Sequence, residues 1–313
     1  MIPAREILAL RDEWTLRSDV IEKDWALGWV LAGIAAHPDL TSLVFKGGTC
    51  LRKCYYETYR FSEDLDFTAT AGGPEDPGQL TGVFTEIAAW LAEHAGLELI
   101  VDQRSFVRRR NRRGNPTTLG RLAYRGPTKP PTPPKLKIDL TADEVIVNRP
   151  ALRPILHPYS DAPQPVAAIG CYAIVDLLAE KLRAPTERCR PRDLYDVVHL
   201  FRHPDLLGRA GEVTAAMEDK CRHVGIRPPD LAAIRATPYR AEIEAEWANM
   251  LDHQLPSLPP FAQFWASLDD VFAWLTRGVA LPAVDDVLAQ RCAAGTDQVR
   301  RSQPPQGRNR LPR

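Results

Sequence analysis

The chain of 313 residues is long enough for two ordinary domains, and its 44% hydrophobic and 26% charged residues are typical of a globular protein with a sizeable core. Forty Lys and Arg balance forty Asp and Glu, and a net charge of zero argues at first against a polyanionic partner. The charges are segregated, however. Eleven basic residues and no acidic one lie between residues 103 and 138, and five arginines lie in the last sixteen residues. The remainder carries 24 basic against 40 acidic residues, so the whole-chain sum hides a local basic strip.

Cysteine usage and the first residues of the chain predict a cytoplasmic protein. The six cysteines show no CxxC spacing, and the N-terminal residues MIPAREILALRDEW are charged and lack the apolar core of a signal peptide. We expect free thiols, with Cys50 and Cys54 serving as packing residues although they lie one helical turn apart. The longest apolar run, residues 25–36, has twelve residues, which is too short for a membrane span.

The first 140 residues alternate helical and strand patterns. Apolar residues keep helical spacing from Val20 to Ile34, and Pro38 marks the end of that helix. The β-rich run 42–46 stops at two glycines and is followed by an amphipathic segment, which is typical of strand, turn and helix. The same reasoning predicts a helix over 80–95 and strands over 61–67, 97–107, 117–125 and 135–140.

The pattern becomes helical from about residue 168, beyond a proline-containing stretch near residue 160. We therefore predict an α+β protein whose N-terminal part of strands and helices precedes a helical domain. The predicted parts are a first domain over 1–160 with a basic antiparallel extension over 103–138, a helical domain over 161–293 and a disordered basic tail over 294–313.

Two carboxylates leave one face of the predicted strand 61–67. Ser62, Asp64 and Asp66 occupy alternate positions, so their side chains leave one face while Phe61, Leu65 and Phe67 leave the other. Neighbouring carboxylates repel each other unless a cation lies between them, and oxygen ligands of this kind suit a divalent metal ion. Taken alone, the pattern also fits two solvated acids on an edge strand.

The glycine turn that precedes this strand offers a second element. Gly47, Gly48 and Thr49 open a helix, whose free backbone N–H groups and positive dipole end favour an anion, and Lys46 is adjacent. A pair of glycines can also be a simple bend. A glycine turn leading into a helix and then into a strand with two carboxylates is the more specific combination, and it favours a phosphate site over a simple bend.

The segment VFKGGTCLRKCYYETYRFSEDLDF resembles the signature of the AbiEii/AbiGii-type nucleotidyltransferase toxins, which include the mycobacterial MenT group. This family belongs to the DNA polymerase β-like nucleotidyltransferase superfamily. The resemblance extends to IEKDWALGWVL upstream and to DLLAEKLRA and RDLYDVVHL downstream. It implies a polymerase β-like catalytic domain, with a mixed sheet flanked by helices, followed by a helical domain.

The resemblance also implies roles for individual residues. Gly48 and Thr49 fall on the nucleotide-binding motif, and Asp64 and Asp66 fall on the metal-binding DxD. The third carboxylate of the superfamily lies on a neighbouring strand, where Asp139 is the candidate; a plain edge strand is the alternative. The helical motifs correspond to Asp176, which replaces the usual Glu, to Lys181, and to one of Asp193 and Asp196.

The activity implied is transfer of a nucleotide from an NTP to an acceptor with the help of two Mg²⁺ ions. In the family the acceptor is typically the 3′ end of a tRNA, and an antitoxin protein restrains the enzyme. The basic strip fits an RNA backbone, although a solvated arginine loop is the alternative. Other readings are a small-molecule or protein acceptor, or a catalytically silent RNA-binding or partner-binding module. The candidate RNA contacts are Arg104, Arg108, Arg109, Arg110, Arg112 and Arg113.

Overall fold

The computed structural model describes residues 1–57, 59–70, 72–111, 113–186, 188 and 190–277. Residues 1–279 form one unit. The predicted basic tail over 294–313 and the end of the predicted helical domain lie outside the described residues, and so does Arg112. Within the described part of the chain, no helix has the length and apolar character that crossing a membrane requires.

The N-terminal helices begin and end where local signals favour it. Asp76 caps the fourth helix by accepting a hydrogen bond from the Gln79 N–H at 2.9 Å, and Gly96 ends it in a left-handed conformation with φ of 63°. The third helix is a single turn that continues as a π-helical segment over Leu51–Tyr55. These helices are α1 (Ala4–Trp14), α2 (Ser18–Ala36), α3 (Gly47–Cys50) and α4 (Pro77–Ala95).

The C-terminal region is helical, as predicted. The first of its helices, α5, packs against both α6 and α7. The helices are α5 (Ile174–Arg183), α6 (Pro191–Leu200), α7 (Ala210–Val224), α8 (Leu231–Arg235), α9 (Arg240–Ala245), α10 (Trp247–Leu251), α11 (Phe261–Ala266) and α12 (Leu268–Arg277).

Eight strands form one mixed sheet. Along the sheet the order is β3-β5-β6-β2-β1-β8-β7, and β4 pairs with β5 at one side. Strand β6 is parallel to β2 and β8 is parallel to β1, whereas the other pairs are antiparallel. The strands are β1 (Leu43–Lys46), β2 (Asp64–Ala69), β3 (Glu98–Ile100), β4 (Phe106–Arg110), β5 (Pro116–Arg125), β6 (Lys135–Thr141), β7 (Ala151–Pro154) and β8 (Ala168–Cys171).

Two of the predicted elements differ from the structure. The helical pattern predicted from residue 168 is wrong at its start, because residues 168–171 form β8 and the helix begins only at Ile174. The predicted strand 97–107 is two strands, β3 and β4, separated by a turn in which the Ser105 hydroxyl contacts Asp102. Since β8 returns the chain to the sheet beyond residue 160, the predicted boundary there is not a boundary of the sheet.

The two faces of the sheet differ in chemistry. Phe45 and Phe67 pair across β1 and β2 with ring centroids 5.1 Å apart, and both are fully buried on the apolar face. Their chain neighbours Lys46 and Asp66 therefore leave the opposite face, because side chains alternate along a strand. This second face, which carries the charged side chains, is called the acidic face below.

Candidate active site

The acidic face brings together the three aspartates proposed as metal ligands. Strands β2 and β6 run parallel, and their register places Asp66 directly beside Asp139 and Asp64 beside Lys137. The Lys137 ammonium donates to the Asp64 carboxylate at 3.3 Å, and the Thr117 hydroxyl of β5 donates to Asp139 at 2.8 Å. Two carboxylates separated by 73 residues in sequence thus become neighbours on adjacent strands.

The glycine turn lies directly against these acids. Gly47 has a φ of 81°, and a Cβ there would lie 2.4 Å from an Asp66 carboxylate oxygen. A Cβ on Gly48 would lie 3.1 Å from the Ser62 hydroxyl, and 2.6 Å from a guanidinium nitrogen of Arg60. Only residues without a side chain leave room for this contact, so both glycines are required by the packing of the turn on β2.

Thr49, which was predicted to bind a phosphate, has a partner of its own in the structure. It is 1% exposed, and its hydroxyl donates to the backbone carbonyl of Asp64. This bond ties the turn to the first residue of the acidic strand. The residue therefore positions the turn against β2, and its backbone N–H rather than its hydroxyl is the group available to an anion.

The environment of Asp66 disfavours its charged form. Burial raises the pKa of Asp66 to about 6; Lys46 opposes this rise, whereas the carboxylates of Asp64 and Asp139 add to it. Burial and the neighbouring carboxylates together therefore oppose the ionisation of Asp66, and a bound cation would favour it. Carboxylate oxygens are the ligands that hard divalent cations prefer, so this donor set fits an ion such as Mg²⁺.

Lys46, predicted to help bind the nucleotide, is paired with two acids that sequence reasoning missed. Its ammonium donates to Glu144, which follows β6, and lies 3.5 Å from Glu180 of α5. Burial lowers the pKa of Lys46, but the charges of Glu144 and Glu180 outweigh burial and raise it above its ordinary value. The pairing joins β1 to α5 and holds the helix over the acidic face.

Glu180 itself is surrounded by cations. Burial tends to raise its pKa, but Lys46, Lys220 and Arg183 outweigh that tendency and hold the pKa at about 2. The second carboxylate oxygen of Glu180 is buried and has no hydrogen-bond partner among the described residues. The residue directly precedes Lys181, which is the signal in the sequence that would have singled it out.

The helical motif residues form a buried ion network beside the site. Lys181 of α5 lies 3.0 Å from Asp193 and 2.8 Å from Asp196, both on α6. Arg60, which precedes β2, donates two hydrogen bonds to Asp196 at 2.7 and 2.8 Å, and Arg188 lies 3.1 Å from Asp193. Both predicted alternatives, Asp193 and Asp196, are therefore partners of Lys181, and Arg60 is a member that sequence reasoning missed.

Opposite charges set the protonation states of this network. Burial raises the pKa of Asp196, but the nearby Arg60 and Lys181 outweigh it and leave the pKa well below the ordinary value. Asp193 is shifted in the same direction, since Lys181 and Arg188 outweigh the effect of burial on its pKa. The charge of Asp193 raises the pKa of Arg188, with smaller contributions from Glu180 and from Asp66. Arg188 is thus a member of the network whose charge interacts with a carboxylate of the acidic face.

Asp176 does not join the other predicted site residues. Its carboxylate is fully buried and accepts hydrogen bonds from the Val147 N–H at 2.9 Å and from the Asn148 side chain at 2.6 Å. These bonds satisfy the carboxylate and fasten the segment after β6 to α5. The structure therefore gives Asp176 a positioning role, and Glu180, one turn further along the helix, is the acid that contacts Lys46.

The basic strip forms a hairpin at the side of the acidic face. Arg108, Arg109 and Arg110 are exposed on β4, and the register places Arg109 opposite Thr117, whose hydroxyl bonds to Asp139. Arg108 lies 2.9 Å from Glu75, and the loops at either end of β4 carry the exposed Arg104 and Arg113. The arginines of β4 therefore lie two strands away from Asp139, whereas Lys137 at the other end of the basic strip lies on β6 itself.

Comparisons with known proteins show the family and the fold of the chain. The sequence model described as nucleotidyl transferase AbiEii toxin, Type IV TA system, matches residues 29–290. The fold is similar to that of MenT4, a nucleotidyltransferase toxin from Mycobacterium tuberculosis H37Rv, with a TM-score of 0.55 and 24% identity over 95% of this chain and 94% of that one. No curated protein sequence matches the chain. The match over most of the sequence shows that the chain is a nucleotidyltransferase of the AbiEii toxin family.

Proposed function

We propose that the chain transfers a nucleoside monophosphate from an NTP to RNA, with the 3′ end of a tRNA as acceptor, and that an antitoxin protein restrains it. The observation that carries this proposal is the contact between the glycine turn and the aspartates of the acidic face. Gly47 lies against the Asp66 carboxylate, and Asp66 lies beside Asp139. Nucleotidyl transfer requires this adjacency, because the reacting α-phosphate has to lie between the groups that hold the triphosphate and those that activate the acceptor.

Enzymes of this family generally use divalent metal ions, and the aspartates are the residues that would hold them. Asp64 and Asp66 would supply oxygens to two Mg²⁺ ions, and Asp139 would complete the site on the acceptor side. When bound, the ions would lower the pKa of the acceptor hydroxyl and neutralise charge on the departing pyrophosphate. Asp64 and Asp139 lie close enough to Asp66 for their charges to add to the rise in its pKa that burial causes, which supports a cation shared by the three carboxylates.

Asp139 is the residue that we assign to the proton of the acceptor hydroxyl. Its carboxylate is half-buried, and the Thr117 hydroxyl fixes one of its oxygens at 2.8 Å. A carboxylate held in this way accepts the proton while the hydroxyl oxygen attacks the α-phosphorus and pyrophosphate leaves.

The phosphates of the NTP would be held by backbone and by cations. The N–H groups of Gly47, Gly48 and Thr49 lie at the start of the helical segment that follows β1, where an anion is favoured. Arg188 has a side chain that is 41% exposed, and its charge interacts with Asp66. It is therefore better placed than the buried Lys181 to reach a phosphate, and Lys181 would keep the two aspartates of α6 in position.

The exposed arginines of β4 favour an RNA acceptor over a small molecule. Arg109 shares the acidic face with Asp139 and is separated from it by a single strand. Arginines neutralise backbone phosphates without reading sequence, so a strip leading to the acids would guide the end of an RNA toward them. A small acceptor would need no such strip.

The test is label transfer by the purified full chain with Mg²⁺, total tRNA and each labelled NTP in turn. We expect label in tRNA with at least one NTP. The Asp66→Asn variant should reduce the rate by about 10³-fold or more, because it removes an oxygen ligand and a charge from the centre of the site. Asp12→Asn is the matched control, since Asp12 is an exposed acid of α1.

The outcomes separate the parts of the proposal. Label that enters a small molecule or the protein, and never RNA, would overturn the RNA acceptor while leaving the nucleotidyltransferase intact. Transfer to tRNA that survives Asp66→Asn would overturn the assignment of the site. Growth arrest on expression that Asp66→Asn abolishes is the expected result for a toxin.

A further inference from the structure

Three buried cysteines converge on the opposite side of the sheet from the aspartates. Cys50 and Cys54 lie on the helical segment after the glycine turn, and Cys171 ends β8. Their sulfurs all lie within 4.8 Å of one another, and the residues are 0%, 3% and 0% exposed. In the part of the chain that the structure describes, this is the one group of three His, Cys, Asp or Glu ligands gathered so closely.

We propose that Cys50, Cys54 and Cys171 form a binding site for a thiophilic metal ion of the Zn²⁺ class. Thiolate sulfur is the ligand that such ions prefer, whereas Mg²⁺ prefers oxygen, so this site is chemically distinct from the acidic face. A Zn–S bond of about 2.3 Å places tetrahedral ligand sulfurs about 3.8 Å apart. The sulfurs therefore need to approach one another by an ångström or less.

The surroundings fit a metal thiolate better than three packed thiols. Cys171 contacts the Tyr55 hydroxyl at 3.8 Å, and this hydroxyl donates its proton to the Tyr172 carbonyl at 2.6 Å. The oxygen of Tyr55 keeps its lone pairs and is the candidate fourth ligand. Arg153 donates to the Cys54 carbonyl at 3.2 Å, and its guanidinium lies 4.5 Å from the centre of the Tyr55 ring. Three thiolates with one divalent ion carry a net charge of −1, and Arg153, which also lies 3.8 Å from Asp205, offsets part of it.

The position of the three cysteines indicates that a bound ion would stabilise the contact between two elements of the fold. Cys50 directly follows Thr49, and Cys171 pairs in register with Phe45, one residue before Lys46. A bound ion would link the helical segment that follows the glycine turn to β8 through bonds independent of the sheet. Binding replaces three thiol protons, which are released to solvent, so affinity rises with pH.

The probe is Co²⁺, added to the reduced full chain directly and also during refolding from urea. We expect one equivalent to give a thiolate-to-cobalt absorption band in the near ultraviolet, with release of three protons, and Zn²⁺ to abolish the band by displacement. Ions held by aspartates give no sulfur band, so the acidic face does not contribute. Cys171→Ser should lose the band, and Cys221→Ser, which changes a buried cysteine of α7 outside the group, should keep it.

A second measurement needs no variant. X-ray absorption of the Zn²⁺-loaded wild-type chain should show three sulfur neighbours at about 2.3 Å. A spectrum with only oxygen or nitrogen neighbours, or absence of the cobalt band under both loading conditions, would overturn the proposal. A full band in Cys171→Ser would overturn it as well. Each of these results leaves the nucleotidyltransferase proposal untouched, because that proposal does not involve the cysteines.

Discussion

The acidic face and the ion network of α5 and α6 lie next to each other and differ in how their carboxylates are paired. In the network, Lys181 and Arg60 neutralise Asp196, and every described member has an ionic partner within 3.1 Å. On the acidic face, carboxylates stand side by side, and the pKa of Asp66 rises to about 6. Removing one member of a buried ion network destabilises the fold, because it leaves a buried charge without a partner. Neighbouring acids, in contrast, repel each other, and a bound cation relieves that repulsion.

This difference separates the residues that stabilise the surroundings of the candidate site from the residues that we propose to act in the reaction. Lys181, Asp193 and Asp196 satisfy one another in the absence of any ligand, so their first effect is on folding. Among the residues that the structure describes, no Lys or Arg forms an ion pair with Asp66 or Asp139. The comparison predicts that substitutions in the two regions change stability with opposite sign.

The largest effect on stability is expected from the network. Asp196→Asn leaves Arg60 and Lys181 buried without a shared carboxylate, and we expect the free energy of unfolding at pH 7 to fall by about 3 to 5 kcal/mol. Urea unfolding measures this change. Because the folded pKa of Asp196 is depressed, its contribution is present above the unfolded pKa of about 3.9 and is lost as pH falls below it.

Asp205→Asn provides the control for this variant. Asp205 is a half-exposed acid that lies 3.8 Å from Arg153, and its loss should change stability by no more than about 0.5 kcal/mol. If Asp196→Asn is no more harmful than this surface substitution, the network does not stabilise the fold in the way described.

A smaller effect of opposite sign is expected on the acidic face. Asp66→Asn removes a carboxylate whose charged form the fold disfavours, so the metal-free variant should gain about 2 kcal/mol of unfolding free energy at pH 8. A raised folded pKa means that the contribution of Asp66 to stability is present below the unfolded pKa and is lost as pH rises through about 6. The gain should therefore disappear near pH 4.

The measurement is urea unfolding of both proteins in chelator at pH 4 and pH 8. Added Mg²⁺ should reverse the order, because the ion stabilises the wild-type chain and has less to bind in the variant. A variant that is less stable than the wild type at pH 8 without metal would contradict the contrast between the two regions.

The smallest change in unfolding free energy is expected from substitutions of the exposed arginines of β4. Changing Arg108, Arg109 and Arg110 together to Gln should alter unfolding free energy by no more than about 0.5 kcal/mol, because surface charges contribute little. Binding to tRNA should weaken by about tenfold at moderate salt, and the slope of log affinity against log salt should fall by about 2.

The control for this variant changes three exposed arginines near the N-terminus, Arg5, Arg11 and Arg17, to Gln. Equal losses in the two variants would show that total charge, and not the strip, governs binding.

Local pattern predicted the strands that carry the site. Alternation placed Asp64 and Asp66 on one face of a strand and Asp139 on a face of another, and both strands are present with small changes at their ends. Their adjacency came from the family resemblance and not from any local pattern. Parallel pairing of β2 with β6 joins segments too distant in sequence for periodicity to relate them.

The parts that were missed depend on contacts distant in sequence. Strands β7 and β8 have four residues each, which is too short for alternation to distinguish them from the start of a helix. The partners of Lys46 come from a loop and a helix about 100 and 134 residues further along the chain. Cys50 and Cys54 are free and buried, as predicted, but their approach to Cys171 depends on the pairing of β8 with β1, which local pattern does not show.

The parallel pairing of β2 and β6 also has a consequence for how this enzyme can vary. Parallel neighbours require a long crossover, and here the crossover contains α4 and the β4–β5 hairpin with its arginines. Asp66 and Asp139 lie on the two strands that bracket this insertion. Because β5 pairs with β6 and its Thr117 hydroxyl donates to Asp139, this strand is part of the site. Strand β4 and the loop that joins it to β5 can change in length or charge while the two carboxylates stay in register.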